Sequence, residues 1–331
     1  MSNYPSNSAA TPNSKAQGEW AAILQGYVST HAALAVEVHI PFCTSACSYC
    51  TEFKVVTKDR SKAATYLNYL LHEIALTAQK LPQRPKLQRL SLVGGTPLFL
   101  DHEQLKLLMN TLDQHFDWRS QHSCDVHIDV DPREADWATL GLLRQQGFNR
   151  IRLTIHDLDP TVQRSSNRMH TYAHLSSLIE AARTLQIETV ECCIMYGLPE
   201  QTPQSLYDTL HQVSQLQPER IYLKAFHWLP EQFPNLNRLS PDSLPKNPES
   251  LLKNAQQQLI EAGYREQSPQ VFVRLDDLQA AVLSDSDPTS ILGFGLNALS
   301  TLEGKRYRNP KELSLWKSAM NQGELPCKAD C

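Results

Sequence analysis

The sequence predicts an α/β fold built on a parallel sheet. Short apolar runs alternate with longer amphipathic stretches along most of the chain, the order expected of repeated strand–helix units. A chain of 331 residues with 41% hydrophobic content can bury one large core, and α/β barrels of this size often form a single domain. The glycine- and cysteine-containing segments follow the apolar runs directly, at the C-terminal ends of the predicted strands, where ligands collect in such architectures.

Residues 1–18, rich in Ser, Asn, Ala and Gln, read as a flexible leader, lacking the apolar and basic regions of a signal peptide. The first strand is expected over 34–40, where Ala-Val-Glu-Val-His-Ile is almost continuously apolar. Further strands are expected over 87–93, 125–130, 150–155, 189–195 and 220–225, which makes six. Between them, 62–79, 102–115, 137–146, 172–185 and 204–216 match helical rather than alternating periodicity. Repeated units of this kind imply right-handed crossovers and a sheet either open or closed as a barrel. The core should occupy 30–228, followed by a Pro-, Ser- and Asn-rich linker over 229–247. The remaining 248–331 read as a small α+β extension, with a helix over 248–262, short strand-like pieces and a turn at Gly293-Phe-Gly295.

Composition excludes several classes. Net charge is −4 with the signs interspersed, which leaves no basic patch for nucleic acid. No apolar stretch approaches the roughly 18 residues of a membrane span, and a cytosolic location is expected. Eight cysteines without a secretory signal favour metal binding over a disulfide framework. Three of them lie within eight residues, Cys43-Thr-Ser-Ala-Cys47-Ser-Tyr-Cys50, directly after the first strand. A tight loop can turn three thiolates toward one point, and three soft sulfurs suit iron–sulfur or zinc far better than a hard cation. An ordinary cluster takes four ligands, so three would leave one iron open. A structural zinc site, with His39 or a distant cysteine as fourth ligand, and three buried cysteines without metal are the other readings.

The spacing C-x3-C-x2-C after His39-Ile-Pro-Phe closely resembles the cluster loop of radical S-adenosylmethionine (SAM) proteins. With Tyr49-Cys50 it resembles in particular the oxygen-independent coproporphyrinogen III oxidase family, which includes the bacterial haem chaperones. The resemblance covers roughly residues 36–310 and implies a partial (β/α)6 radical SAM barrel with the small C-terminal extension. It implies that Cys43, Cys47 and Cys50 hold a 4Fe-4S cluster, with SAM on the fourth iron and Tyr49 covering the cluster edge. Reductive cleavage of SAM would then yield a 5'-deoxyadenosyl radical that abstracts hydrogen from a substrate. The implied substrate or cargo is a tetrapyrrole or haem, and the implied electron donor a flavodoxin or ferredoxin. No arginine cluster for tetrapyrrole carboxylates can be picked out of the sequence.

Further segments extend the resemblance and depart from it. Gly94-Gly95-Thr96-Pro97 resembles the family's GGGTP segment at the SAM amino and carboxylate ends, where glycine lets backbone approach a ligand; Val93 replaces the first glycine. Asp129 stands where the family has a SAM-contacting glutamate, and Asp131 reads mainly as a helix cap. His156 replaces a glutamine that touches SAM, and Cys193 an aspartate that binds the ribose hydroxyls. In Arg168-Met-His170, which matches the chaperone-like branch, Arg168 could clamp the SAM carboxylate, with a surface salt bridge as its bland alternative. Met195, in a Tyr-Gly-Leu-Pro-containing match, could line the adenine or simply pack in the core. Cys192 and Cys193 are expected on opposite strand faces as ordinary thiols. Asn297 replaces a glycine of the Gly-x-Gly turn and tolerates the left-handed conformation needed there. Haem would need an axial ligand, for which His156, His170, His227 or a cysteine could serve. Cys327 and Cys331 are expected on a frayed tail. The function implied is that of a radical SAM protein of haem or porphyrin metabolism, in the chaperone-like branch. The alternatives are the oxidase proper and a degenerate iron–sulfur protein that no longer cleaves SAM.

Overall fold

The computed structural model describes residues 14–27, 34–120, 124–275 and 290–330. It begins with helix α1 (Ser14–Gly26), strand β1 (Leu34–Ile40), the two-residue strands β2 (Phe42–Cys43) and β3 (Val55–Val56), α2 (Ser61–Ala78), β4 (Leu87–Gly94), α3 (His102–His115) and β5 (Asp125–Val130). There follow α4 (Trp137–Gln146), β6 (Arg150–His156), α5 (Pro160–Ser165), α6 (Tyr172–Thr184), β7 (Thr189–Tyr196), α7 (Pro203–Gln215), β8 (Arg220–Ala225) and α8 (Pro248–Glu261). The chain ends in β9 (Tyr264–Ser268), β10 (Val271–Arg274), β11 (Ser290–Phe294), β12 (Leu299–Leu302), β13 (Lys305–Arg308), α9 (Leu313–Asn321) and β14 (Lys328–Ala329). The six expected strands and the helices between them are present with bounds shifted by two residues at most.

These elements divide into two compact units. The first holds residues up to 44, 52–128 and those from 290 on; the second holds 45–51 and 129–275. In the first, β1 runs parallel to both β4 and β11, β5 continues from β4, and β11 to β14 form an antiparallel meander. Helix α2 buries Ala63, Tyr66, Leu67, Leu70 and Ile74, the spacing that puts one apolar stripe on the strands. Helix α3 starts at a capping box between Asp101 and Gln104, which satisfies two otherwise orphaned backbone donors. In the second unit β6, β7 and β8 are parallel neighbours and β10 and β9 add antiparallel strands beyond β8. Every residue of β7 is buried, as befits a central parallel strand. Helix α4 ends on Gly147 at φ 98°, a left-handed cap that suits glycine. Within the first unit β1 is flanked by β4 and β11, and within the second β8 is flanked by β7 and β10.

Four expectations need correction. Residues 14–18 of the supposed leader begin helix α1, held by burial of Trp20, Ile23, Leu24 and Tyr27, with Trp20 packed 4.6 Å from Tyr307; residues 1–13 lie outside the described residues. The C-terminal stretch does not stand as one extension: α8 to β10 belong to the second unit, whereas β11 pairs with β1 in the first. The supposed linker is packed rather than loose, because the Leu236 side chain is fully buried in a cluster with Tyr49, Val162, Met195, Leu198 and Phe226. The tail is not frayed. β14 pairs with β13, Asp330 binds Arg306 and Arg308 at about 3 Å, and Cys327 is buried, which pushes its thiol pKa far up; Cys331 lies outside the described residues.

Candidate functional site

In the first unit the end of β4 is fitted against the segment that delivers Cys43. Gly95 N donates to the Ile40 carbonyl at 2.8 Å and Thr96 N to the Phe42 carbonyl at 2.6 Å. Gly94 has φ 112°, and a Cβ there would lie 2.2 Å from the His39 ring; one at Gly95 would lie 2.4 Å from the Phe42 carbonyl oxygen. The protein's own backbone therefore requires both glycines, before any ligand is considered. Thr96 completes the contact, its hydroxyl 3.9 Å from Cys43 Sγ. β2 and β3 hold Cys43 from the other side, where its carbonyl accepts from Thr57 N at 2.9 Å. The His39 Nδ1 is engaged by the Leu296 carbonyl at 2.5 Å and the ring lies against Gly94, which leaves it poorly placed as a fourth zinc ligand. Asn297 in the adjoining turn is left-handed at φ 59°, as expected for a residue replacing glycine.

In the second unit the loop bearing Cys47, Tyr49 and Cys50 is held by backbone and side-chain bonds. Ser48 N donates to the Ser166 carbonyl at 3.1 Å, and Asn167 Nδ2 to the Ala46 carbonyl at 2.9 Å. Asn235, in the supposed linker, donates to the carbonyls of Ser48 at 3.3 Å and Cys50 at 3.1 Å. Two arginines reach Cys47 Sγ, Arg168 at 3.6 Å and Arg133 at 4.0 Å. Neither Asn235 nor Arg133 was singled out from sequence. Arg133 follows the Asp131-Pro132 cap directly, a position where a signal was available; Asn235 lies in a stretch without periodicity and gave none.

Arg168 is buried and fully engaged. It donates to Asp131 at 2.9 Å and to the Thr154 hydroxyl at 2.7 Å, and both Nε and Nη2 reach the Thr154 carbonyl. Asp131 caps Arg133 N at 3.0 Å and binds its guanidinium at 2.7 Å, so it is both cap and counter-ion. Burial opposes ionisation of Asp131, but Arg168 and Arg133 outweigh it and hold the carboxyl down to about 2. His156 is bonded through Nδ1 to the Tyr49 hydroxyl, and burial, reinforced by Arg168 and Lys224, drives its pKa well below the usual histidine value. Asp129 lies 3.5 Å from Arg152. Met195 packs against Tyr49 and Phe226 within the apolar cluster. Cys193 and Cys192 alternate faces along β7, and burial pushes the Cys193 thiol up to about 12. The ring nitrogens of His170 have no hydrogen-bond partner among the described residues.

Cys43, Cys47 and Cys50 are half-buried and not bridged by disulfides. Among the described residues, no three His, Cys, Asp or Glu side chains already stand grouped as ligands of a metal ion. The donor set still fits an iron–sulfur cluster: three soft sulfurs in one short loop, a hydroxyl beside one and two guanidinium groups beside another. The fit to SAM is less complete, because Asp129, His156 and Arg168 are each committed to partners within the protein.

Known proteins bear out the resemblance. The oxygen-independent coproporphyrinogen III oxidase of Pseudomonas aeruginosa is 37% identical over 306 residues, which cover 88% of this chain and 66% of that protein. That of Salmonella typhimurium is 32% identical over 294 residues, 85% of this chain and 64% of the relative. The chain thus spans slightly less than two thirds of the length of these curated relatives. Among solved structures, coproporphyrinogen III oxidase from Escherichia coli, described as a radical SAM enzyme, superposes with a TM-score of 0.85 at 28% identity, over 99% of this chain and 78% of that one. Residues 38–213, more than half of the chain, match the radical SAM superfamily, and the chain belongs to that superfamily.

Proposed function

We propose that this chain is a radical SAM protein of porphyrin metabolism, in which Cys43, Cys47 and Cys50 hold a 4Fe-4S cluster and a tetrapyrrole of the coproporphyrinogen class is substrate or cargo. The observation that carries this reading is the pair of arginines at Cys47 Sγ in a loop of three half-buried cysteines. When bound, the cluster and SAM supply a one-electron reduction and a carbon-centred radical that removes hydrogen from the substrate. The protein's part is placement. Arg168 and Arg133 oppose negative charge on sulfur, Asn235 fixes the loop backbone, and Gly94, Gly95 and Thr96 seat Cys43. Tyr49 and Met195 form an apolar wall beside the loop. Gly94, Gly95 and Thr96 in the first unit, and Asp129, His156 and Arg168 in the second, are each proposed as SAM contacts, and the last three exchange their present partners if they bind it. A flavodoxin or ferredoxin is the proposed electron source.

Within the family we place the chain in the haem-chaperone-like branch, supported by Arg168-Met-His170 and by the His170 ring, whose nitrogens are unbonded among the described residues while His156 is committed to Tyr49. Anaerobic reconstitution, reduction with dithionite in the presence of SAM and chromatography for 5'-deoxyadenosine tests the chemistry, with coproporphyrinogen III present or absent. Product that requires Cys47 supports a radical SAM enzyme; a cluster without product leaves binding as the function. Haemin titrated into wild type and His170→Ala separates the branches: a Soret shift lost in the variant supports the chaperone reading, and an unchanged titration removes it.

A further inference from the structure

The strand that leads to Cys43 is supported unequally on its two sides. β1 pairs with β4 as far as Ile40 and Gly94, but its pairing with β11 runs only to Val38 and Phe294. At His39 the second side is taken over by α2 and by the turn that follows β11. The Tyr66 hydroxyl donates to the His39 carbonyl at 2.7 Å and accepts from Leu296 N at 3.1 Å. The Leu296 carbonyl in turn accepts from His39 Nδ1 at 2.5 Å. The peptide and the ring of His39 are therefore both tied to one residue of the turn, the ring directly and the peptide through Tyr66. Packing leaves no slack, since a Cβ on Gly295 would lie 2.3 Å from the Tyr66 hydroxyl and 2.7 Å from the His39 carbonyl oxygen.

The turn is itself anchored from α2. Glu73 lies two helical turns beyond Tyr66 on the same face, and both side chains are buried. Glu73 accepts from Gly295 N at 2.9 Å and from Asn309 Nδ2, and Asn309 Nδ2 also donates to the Gly295 carbonyl at 2.8 Å. Both backbone polar groups of Gly295 are thus bound, and a buried carboxylate holds its donors firmly because losing one is costly. On the opposite side of His39 the ring lies against Gly94, Gly95 N donates to the Ile40 carbonyl, and Thr96 N donates to the Phe42 carbonyl while its hydroxyl stands 3.9 Å from Cys43 Sγ. Close-packed interiors transmit strain, so a shift of the turn passes through His39 to the end of β4 and to Cys43.

We propose that Tyr66 and Glu73 are positioning residues for Cys43: from one face of α2 they fix the Gly295–Leu296 turn, and through it the His39 peptide and ring beside which Cys43 is seated. The inference rests on the reading of Cys43 as a cluster ligand and adds the two residues that set its place. The test needs no cluster. Iodoacetamide is added to the full chain without iron, and alkylation at each cysteine is followed by peptide mass spectrometry. Tyr66→Phe keeps the ring stacked on Trp316 and removes only the hydroxyl. It should speed alkylation of Cys43 about fivefold, the scale of one lost hydrogen bond, and leave Cys47 and Cys50 as in wild type. Glu73→Gln at pH 7.5 should act in the same direction, and it keeps the proposal open to test if Tyr66→Phe folds poorly. Ile74→Val, which trims a buried side chain of the same helix and leaves every one of these bonds in place, is the control for general loosening. Cys43 reacting at the wild-type rate in both variants, or all three cysteines accelerating together, would overturn the proposal. A wild-type chain that takes up no cluster on reconstitution would sink the metal reading instead, and the alkylation pattern would still decide the positioning role.

Discussion

The Tyr49 hydroxyl is bonded to Nδ1 of His156, at the point where β6 leaves its register with β7 and His156 adopts φ 73°. A non-glycine residue in the left-handed region is uncommon and is held by its surroundings. Here the surroundings include the cysteine loop itself, because Tyr49 lies between Cys47 and Cys50. Loss of this bond should weaken the loop's attachment to the second unit. Tyr49→Phe leaves a buried imidazole nitrogen without its partner and should lower unfolding free energy by about 1–3 kcal/mol. Urea denaturation of the chain measures it.

Arg168 and Asp131 form the buried ion pair nearest Cys47, at 2.9 Å. The Asp131 carboxyl titrates at about 2 in the fold against 3.8 when unperturbed, so its contribution to stability is present above about 4 and is lost as pH falls toward 2. Arg168→Met leaves Asp131 with Arg133 alone and should cost about 3 kcal/mol or more. Acid unfolding followed by circular dichroism should then begin at a higher pH than in wild type.

Glu73, on α2, is buried and accepts from Gly295 N at 2.9 Å, Trp316 Nε1 at 3.0 Å and Asn309 Nδ2 at 2.5 Å. Burial outweighs these donors and raises its pKa from 4.5 to about 7. The folded state therefore binds the proton more tightly than the unfolded chain, so this term favours folding below about 4.5 and is lost as pH rises through about 7. Glu73→Gln should remove that slope. It should also cost about 1–3 kcal/mol at pH 7.5, where the ionised carboxylate accepts on both oxygens and an amide would turn a donor toward one of those donors. Melting temperatures of both proteins between pH 4.5 and 7.5 decide it.

Asn235 donates to the carbonyls of Ser48 and Cys50. Asn235→Ala should leave the fold intact and loosen the loop, so that a chelator removes iron from the reconstituted protein about threefold faster or more. Unchanged release would show that Ser166 and Asn167 suffice to hold the loop.

The architecture was legible where periodicity was strong. The strand at 189–195 reads as a continuous apolar run because both faces of β7 are buried, and α3 reads as a helix because Leu105, Leu108, Met109 and Leu112 repeat on one side. The cysteine loop was legible because spacing alone carries its chemistry. Contacts between segments distant in sequence were not. Nothing local marks Asn235 as a brace for Cys50 or Ser290–Phe294 as the parallel neighbour of β1. Each depends on contacts between segments far apart in sequence. Sequence alone assigns Gly94 and Gly95 to making room for a ligand, whereas the fold already needs them to pass His39 and Phe42.

The most direct measurement of the central claim is iron, sulfide and zinc analysis of the anaerobically reconstituted chain, with electron paramagnetic resonance after dithionite reduction. The expected result is about four iron and four sulfide per chain and a reduced-cluster signal, lost in Cys43→Ala, Cys47→Ala and Cys50→Ala alike. Stoichiometric zinc in place of iron, or a cluster retained in the Cys47→Ala protein, would contradict it.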